Sequence, residues 1–301
     1  MSLGNERLSK NEKREAAREQ ARQLRDEQRK KDRRTKFILQ GSIIGASLAI
    51  IAIIALVIVN SIKPVGPGPL NMASDGIQIS QGAIATETPA IKAGGDPVAN
   101  VRDEEKDTLD IQMYVDYLCP ICGDFEATNG EYISSLLENG QTTVEIHPIS
   151  ILDRASQGSK YSTRAANAAA CVANYSPNQF YDFHNLLFAN QPEENTQGLG
   201  DDEIEALADD AGVENAGDIK SCIQNDEFTT WVGNATTRAL NGPIPNSDVE
   251  KVIGTPTVLV NGLKYDGAVD DLPSFQAFVV QAAGSTFNDS ATPTPTPTTA
   301  P

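Results

Sequence analysis

The stretch FILQGSIIGASLAIIAIIALVIV, Phe37 to Val59, runs for 23 residues without a charge. As a helix rising 1.5 Å per residue it reaches about 35 Å, enough to cross a hydrocarbon core of about 30 Å with some tilt. A helix buried in a soluble core is seldom apolar on every face at this length. A cleavable signal peptide fits less well, because 36 residues precede the run and the run exceeds a usual signal core. The sequence therefore predicts one uncleaved transmembrane helix over 37–59. Lys30, Lys31, Arg33, Arg34 and Lys36 crowd its N-terminal flank, whereas Lys63 stands nearly alone beyond it. The positive-inside rule then keeps the N-terminus in the cytoplasm and sends the rest outside, as a single-pass cell-membrane protein. Disulfides form and persist in that outer compartment.

Charge divides the chain near the same place. Residues 1–36 hold 13 Lys/Arg against 7 Asp/Glu, and the remainder holds 11 against 34. An acidic body repels phosphate backbones, which excludes nucleic acid as its partner, while the basic front suits anionic lipid. Residues 1–36 read as a basic cytoplasmic segment with pairs such as Glu15 with Arg18 at helical spacing, solvated because no apolar stripe runs along it. Residues 60–103, rich in Gly, Pro, Ala and Thr, read as an extracytoplasmic linker in which only GIQIS (Gly76–Ser80) hints at a strand. A flexible linker of that length would hold a domain on the order of 35 Å from the bilayer. The far end, 287–301, is a Thr/Pro-rich tail that cannot pack a core and reads as disordered.

The folded part is expected over 104–286. TLDIQMYVDY (Thr108–Tyr117) reads as a buried strand, the segment from Cys122 as a helix closed by Gly140, and TTVEIHPISI (Thr142–Ile151) as a second strand. Strand character then vanishes over about 157–249, where helical segments follow one another. It returns at PTVLVNGLKY (Pro256–Tyr265), with Asn261-Gly262 marking a hairpin turn, and an amphipathic helix follows. The fold class is α/β, with an all-helical insertion.

Chemistry concentrates in YVDYLCPICGDFE, where Cys119-Pro120-Ile121-Cys122 spans a strand-to-helix junction. A nucleophilic thiol must be ionised, and the unpaired N–H groups at a helix N-terminus stabilise a thiolate there. Cys119 falls at that position. Cys122 lies one turn deeper, close enough to close a small disulfide. Pro120 suits the first helical turn, where its missing N–H has no intrahelical partner. A zinc site would need four ligands, yet Cys171 and Cys222 are 51 residues apart and His147 and His184 are not spaced as a ligand pair. No metal and no bound organic cofactor are expected. A purely structural disulfide within Cys119–Cys122 would sit strained in a helix, which favours its reduction. Redox catalysis is the best account of the pair.

Four motifs together resemble the DsbA-like thiol-disulfide oxidoreductases, specifically the membrane-tethered thioredoxin-fold proteins of Gram-positive, mainly actinobacterial, type. They are VDYLCPIC (Val115–Cys122), RAANAAACVANYSPNQFYDFHNLLF (Arg164–Phe188), GTPTVLVNG (Gly254–Gly262) and a Cys222 placed to partner Cys171. The resemblance implies a thioredoxin fold interrupted by the helical insertion. It also implies a cis peptide at Thr255-Pro256 facing the redox pair, with the Thr255 main chain pairing with substrate and a structural disulfide joining Cys171 to Cys222. The chain departs from the family at two points. Ile121 stands where DsbA has a histidine, and Met113 stands six residues before Cys119, where thioredoxins and DsbA place a buried acid. Asp116, three before Cys119, matches the tethered subgroup and is a candidate either for that proton transfer or for capping the active-site helix.

The expected function is a membrane-anchored oxidase that forms disulfides in reduced exported proteins through Cys119 and Cys122. A membrane partner of the DsbB or vitamin K epoxide reductase type would reoxidise it. Two alternatives stand: a reductase or isomerase of the same fold, and a binding module that keeps the thioredoxin scaffold without catalysis. His147 is a packing residue or a group facing the active site. His184, Tyr181 and Trp231 read as packing residues.

Overall fold

A computed structural model of the chain describes residues 66–101 and 108–290, together with N-terminal positions 15, 18–19, 21–31, 33–34 and 50–51. The described N-terminal positions belong to one unit, Met1–Pro64, and the rest to a second, Val65–Pro301. In the first unit they are helical and exposed. Among the described residues no helix is long and apolar enough to cross a membrane. The expected span 37–59 lies outside the described residues except for Ile50 and Ile51, as does the expected tail 287–301 from 291 onward; residues 287–290, expected as disordered, are helical instead.

The second unit is built on one six-stranded sheet. Its strands are β1 (Ile77–Ser80), β2 (Ile84–Ala85), β3 (Leu109–Val115), β4 (Thr142–Pro148), β5 (Thr257–Val260) and β6 (Leu263–Lys264), in the order β2-β1-β4-β3-β5-β6. Only β3 and β4 are parallel. Helix α1 (Pro120–Glu138) makes the crossover between them, as a parallel pair requires. Its buried side chains Cys122, Phe125, Asn129, Ile133, Leu136 and Leu137 recur at helical spacing and form the stripe that seats it on the core. The hairpin from β5 to β6 turns at Asn261 (φ 51°) and Gly262 (φ 79°), the two left-handed residues that a type I′ turn requires.

Five helices stand between β4 and β5: α2 (Tyr161–Tyr175), α3 (Phe180–Ala189), α4 (Asp201–Asp210), α5 (Ala216–Gln224) and α6 (Thr229–Asn241). Their small buried faces, such as Ala165, Ala166, Ala168, Ala169 and Ala170 on α2, let them pack closely into the main core. The disulfide Cys171–Cys222 ties α2 to α5, with Cα atoms 5.9 Å apart. Helix α7 (Leu272–Ser290) closes the chain and buries Phe275, Val279 and Ala282.

The stretch 60–103 was expected as a linker, and the structure differs from residue 66 onward. Ile77 and Ile79 are fully buried, and β1 pairs antiparallel with β4 through Ile77↔Ile146 and Ile79↔Val144. The segments around β1 are fixed by Gly68 N to Ile91 O (2.8 Å), Asn71 N to Thr88 O (2.9 Å) and Val98 N to Ala73 O (2.7 Å). Arg238 donates to both oxygens of Asp75 at 2.6 and 2.7 Å, clamping the segment to α6. The Gly, Pro and Ala content that suggested a tether serves close turns here, and the apolar alternation that marks a strand is only two isoleucines long.

One substitution separates a packed segment from a tether, and a second tests the disulfide of the insertion. Ile79→Ala should lower the unfolding free energy by about 2–5 kcal/mol in urea titrations, the range for a truncated core isoleucine, whereas a linker residue would be neutral. Replacing Cys171 and Cys222 by Ala should cost about 4 kcal/mol, because the bond closes a loop of about 50 residues in the unfolded chain.

Candidate active site

Strand β3 delivers the chain to the redox pair. After Val115 the backbone turns through Asp116–Leu118, Cys119 N donates to Asp116 O (2.9 Å), and Cys119 takes the N-cap position of α1 with Pro120 next. The Cys119 carbonyl accepts from Cys122 N (3.0 Å) and Gly123 N (3.1 Å). Both thiols are free in this structure. Cys119 is 5% exposed and Cys122 is fully buried, so the nucleophile is more enclosed than its position in the sequence suggests. Ile121, 48% exposed, and Ile253, 80% exposed, leave an apolar rim on the two segments that meet at Cys119.

The second segment is the loop before β5. Thr255-Pro256 is a cis peptide, and the Cys119 thiol donates to Thr255 O at 3.3 Å. The sequence-predicted residues Cys119, Pro120, Ile121, Cys122, Thr255 and Pro256 are thus brought together around one sulfur. The hydrogen bond from the Cys122 thiol, helped by Thr255 and by the amides of Cys122 and Ile121 against the opposing effect of burial, lowers the Cys119 thiol to about 6. Burial first, then the hydrogen bond to Cys119 and its charge, pushes the Cys122 thiol up. The two sulfurs are chemically unequal: one is a thiolate at neutral pH and the other holds its proton.

Asp116 is fully buried but does not cap α1. Its Oδ1 accepts from Leu118 N (2.9 Å), and its Oδ2 from Ile151 N (2.8 Å) and Leu152 N (3.0 Å). Burial raises its carboxyl, with those amides and Ser162 pulling the other way. The carboxylate therefore anchors the loop before Cys119 to the loop after β4. Met113 is 1% exposed within the main core.

Sequence reasoning missed a second layer around the pair. Gln191, just beyond α3, donates from Nε2 to Tyr117 O (3.1 Å) and to Cys119 O (2.9 Å). His184, fully buried on α3, has Nδ1 3.2 Å from Tyr117 Oη and Nε2 3.2 Å from Glu126 Oε1. Glu126 lies four residues after Cys122 and so on the same face of α1; that spacing was the one local signal for it. His147 does not face the sulfurs. It stacks on Tyr114, ring centroids 4.3 Å apart, beside a largely apolar cavity of about 430 Å³ that Ile149, Ile244 and Pro245 also line. Cys171 and Cys222 stay within the insertion. Among the described residues no group of three or more His, Cys, Asp or Glu is placed to hold a metal ion.

The lowered thiol fixes a pH dependence. Its folded value lies below its unfolded one, so the Cys119 thiolate adds stability to the reduced protein at pH above the unfolded value of about 8.5, and that contribution is lost as pH falls through the folded value. Thiolate absorbance of the reduced protein should rise with a midpoint near 6. Stability relative to Cys119→Ala should increase with pH from there to about 9.

Comparison with known proteins gives the family. The thioredoxin family model matches residues 102–279. The serine/threonine-protein kinase PknE of Mycobacterium tuberculosis is 33% identical over 135 residues, 44% of this chain and 23% of the kinase. The chain thus spans about a quarter of the length of the curated relatives it matches. The reduced form of the disulfide bond oxidoreductase DsbG from Mycobacterium tuberculosis superposes with a TM-score of 0.51 at 28% identity, covering 72% of this chain and 93% of that one. BdbD from Bacillus subtilis, at 16% identity and a TM-score of 0.51 over 74% of this chain and all of its own, shares the fold. Matched by the family model over more than half of its length, the chain belongs to the thioredoxin family, and it resembles the DsbA-type thiol-disulfide oxidoreductases within it.

Proposed function

We propose that this thiol-disulfide oxidoreductase works as an oxidase that forms disulfides in exported proteins. The single observation that carries the reading is the inequality of its two sulfurs: Cys119 lowered to about 6 and Cys122 pushed up. A stabilised Cys119 thiolate favours the reduced protein, and a disulfide whose reduced form is stabilised is an oxidant. In the oxidised protein a substrate thiolate attacks Cys119 Sγ and forms a mixed disulfide. Cys122 leaves as a thiolate and takes up a proton. The substrate's second thiolate then attacks its own bonded sulfur and expels Cys119 as a thiolate, so the substrate is oxidised by two electrons and the protein reduced by two. Thr255, whose carbonyl already meets Cys119 Sγ, is the main-chain position for strand-like pairing with the substrate. The cysteine pair does the redox work without a metal or an organic cofactor.

The surroundings follow from the chain outside the sheet. Residues 37–59 anchor the protein in the cell membrane with residues 1–36 in the cytoplasm, as their hydropathy and flanking charge support. The redox domain then works outside the cytoplasm on reduced exported proteins. A membrane partner of the DsbB or vitamin K epoxide reductase type takes the two electrons. The acidic body disfavours nucleic acid.

One observation favours the reductase alternative. A Cys119 value of about 6 is nearer to the thioredoxin nucleophile, about 7, than to that of DsbA, about 3.5. Equilibration of the full-length chain in a glutathione series decides between them. A midpoint between about −120 and −180 mV supports the oxidase, and one near −270 mV makes the protein a reductant and ends that reading. Cys119→Ser should abolish dithiol oxidation of a reduced model substrate; a wild-type chain with no such turnover to lose, whose partner binding survives the substitution, would leave only a binding role for the scaffold.

A further inference from the structure

The carbonyls of Tyr117 and Cys119 lie in a turn between β3 and α1, where no sheet ladder satisfies them. Main-chain oxygens out of water need a donor; Cys119 O already accepts from Cys122 N and Gly123 N, and a side chain from the helical insertion reaches both it and Tyr117 O. Gln191 Nε2 is 3.1 Å from Tyr117 O and 2.9 Å from Cys119 O, so both hydrogens of its amide are engaged. Gln191 is itself held at the end of α3, where its N–H donates to Phe188 O at 3.2 Å. Phe188 in turn packs on the Tyr117 ring, with centroids 5.1 Å apart. The other end of the Gln191 amide faces α1. A Cβ at position 123 would collide with Gln191 Oε1, so glycine there is what lets the amide reach the turn. Gly123 and Gln191 form one fitted contact between the insertion and the redox helix.

We infer that Gln191 is a positioning residue for the redox pair. Its amide holds the two carbonyls of the active-site turn and thereby sets how well the start of α1 stabilises a charge on Cys119. Three physical effects act together. The amide hydrogens offset the negative ends of two carbonyl dipoles close to the sulfur. The turn is held in the conformation that presents the Ile121 and Cys122 amides to Cys119. The Tyr117–Cys119 backbone is also tied to the insertion, so α3 and the redox helix keep their spacing. Gln191 touches neither sulfur and takes no part in the exchange. The inference rests on the reading of Cys119 and Cys122 as the redox pair, and it assigns part of their tuning to the insertion.

The test compares variants of the full-length chain in two measurements, the glutathione equilibrium and the pH titration of thiolate absorbance. Gln191→Ala should favour the disulfide form by about three- to tenfold, equivalent to about 15–30 mV toward a weaker oxidant, and should move the Cys119 titration upward. Gln191→Glu keeps the shape, removes both donors and places a charge at the turn, so its effect should be larger in the same direction. Gly123→Ala improves helix propensity while displacing the Gln191 amide. It should therefore weaken the oxidant without loss of thermal stability, a combination that a purely structural role does not produce. Because Gly123→Ala acts through Gln191, its effect should largely disappear in the Gln191→Ala background. Equilibria and titrations of Gln191→Ala and Gln191→Glu that match the wild type within twofold would overturn the inference. So would full additivity of Gly123→Ala with Gln191→Ala. If Gln191→Ala does not fold, the isosteric Gln191→Glu and Gly123→Ala still give both readouts. The wild-type midpoint tests oxidase against reductase, whereas differences between variants test Gln191 and are readable on either side of that division.

Discussion

A charge on Cys119 has almost no water to solvate it, because the residue is only 5% exposed. An ionised group taken out of water is costly unless fixed dipoles replace its hydration. Here the amides of Ile121 and Cys122, the Cys122 thiol and Thr255 do so, and each reaches the sulfur only because of where the fold puts it. The start of α1 aims the amides. The antiparallel pairing of β3 with β5, with Tyr114 opposite Thr257, carries the Thr255-Pro256 loop to the same end of the sheet as the turn after β3. Asp116 then locks that turn to the loop after β4 through three amide donors. Removing any of these would leave the others aimed at a place the sulfur no longer occupies.

The insertion and the N-terminal segment serve this arrangement from opposite sides. Through His184 and Gln191, α3 grips Tyr117 at both its hydroxyl and its carbonyl, so the residue two before Cys119 is fixed at each end. On the far side of the sheet order, β1 covers the free edge of β4. An uncovered β4 would present unpaired main-chain groups beside the strand whose C-terminal loop Asp116 holds. The disulfide within the insertion acts at a distance by holding α2 to α5, which gives α3 a stable neighbour to pack against.

How much of this the sequence disclosed depended on the range of the interaction. The cysteine turn, Pro120 at the helix start, the Asn261-Gly262 hairpin and the run of helices were legible because each follows from neighbours a few residues apart. In the segment 66–101 only the strand at Gly76–Ser80 was hinted at; its packing was not legible, because that strand is four residues long and the segment's contacts with Ala173 and Arg238 are about a hundred or more residues away. Asp116 was singled out for the right place and an incomplete reason. As a local cap it would have faced α1, but two of its three donors come from Ile151 and Leu152, which no local pattern announces. Gln191 carries no periodic or motif signal, since its partners are two carbonyls and main-chain atoms leave no trace in side-chain pattern.

Met113, where related proteins place a buried acid, bears on how the two sulfurs come to differ. Without a carboxylate there, the inequality arises from the pair's own placement. Cys122 is deeper, so burial most of all penalises its charge, and its thiol hydrogen-bonds to Cys119 Sγ. That one hydrogen bond lowers the outer thiol and raises the inner one. Asp116 is committed to the backbone around the pair. Both of its oxygens accept main-chain amides, so taking up a proton would loosen the contacts that hold Leu118, Ile151 and Leu152. A fold that fixes one sulfur at the helix start and buries its neighbour one turn below already provides a nucleophile and a proton holder, and the residues around them need only keep that geometry.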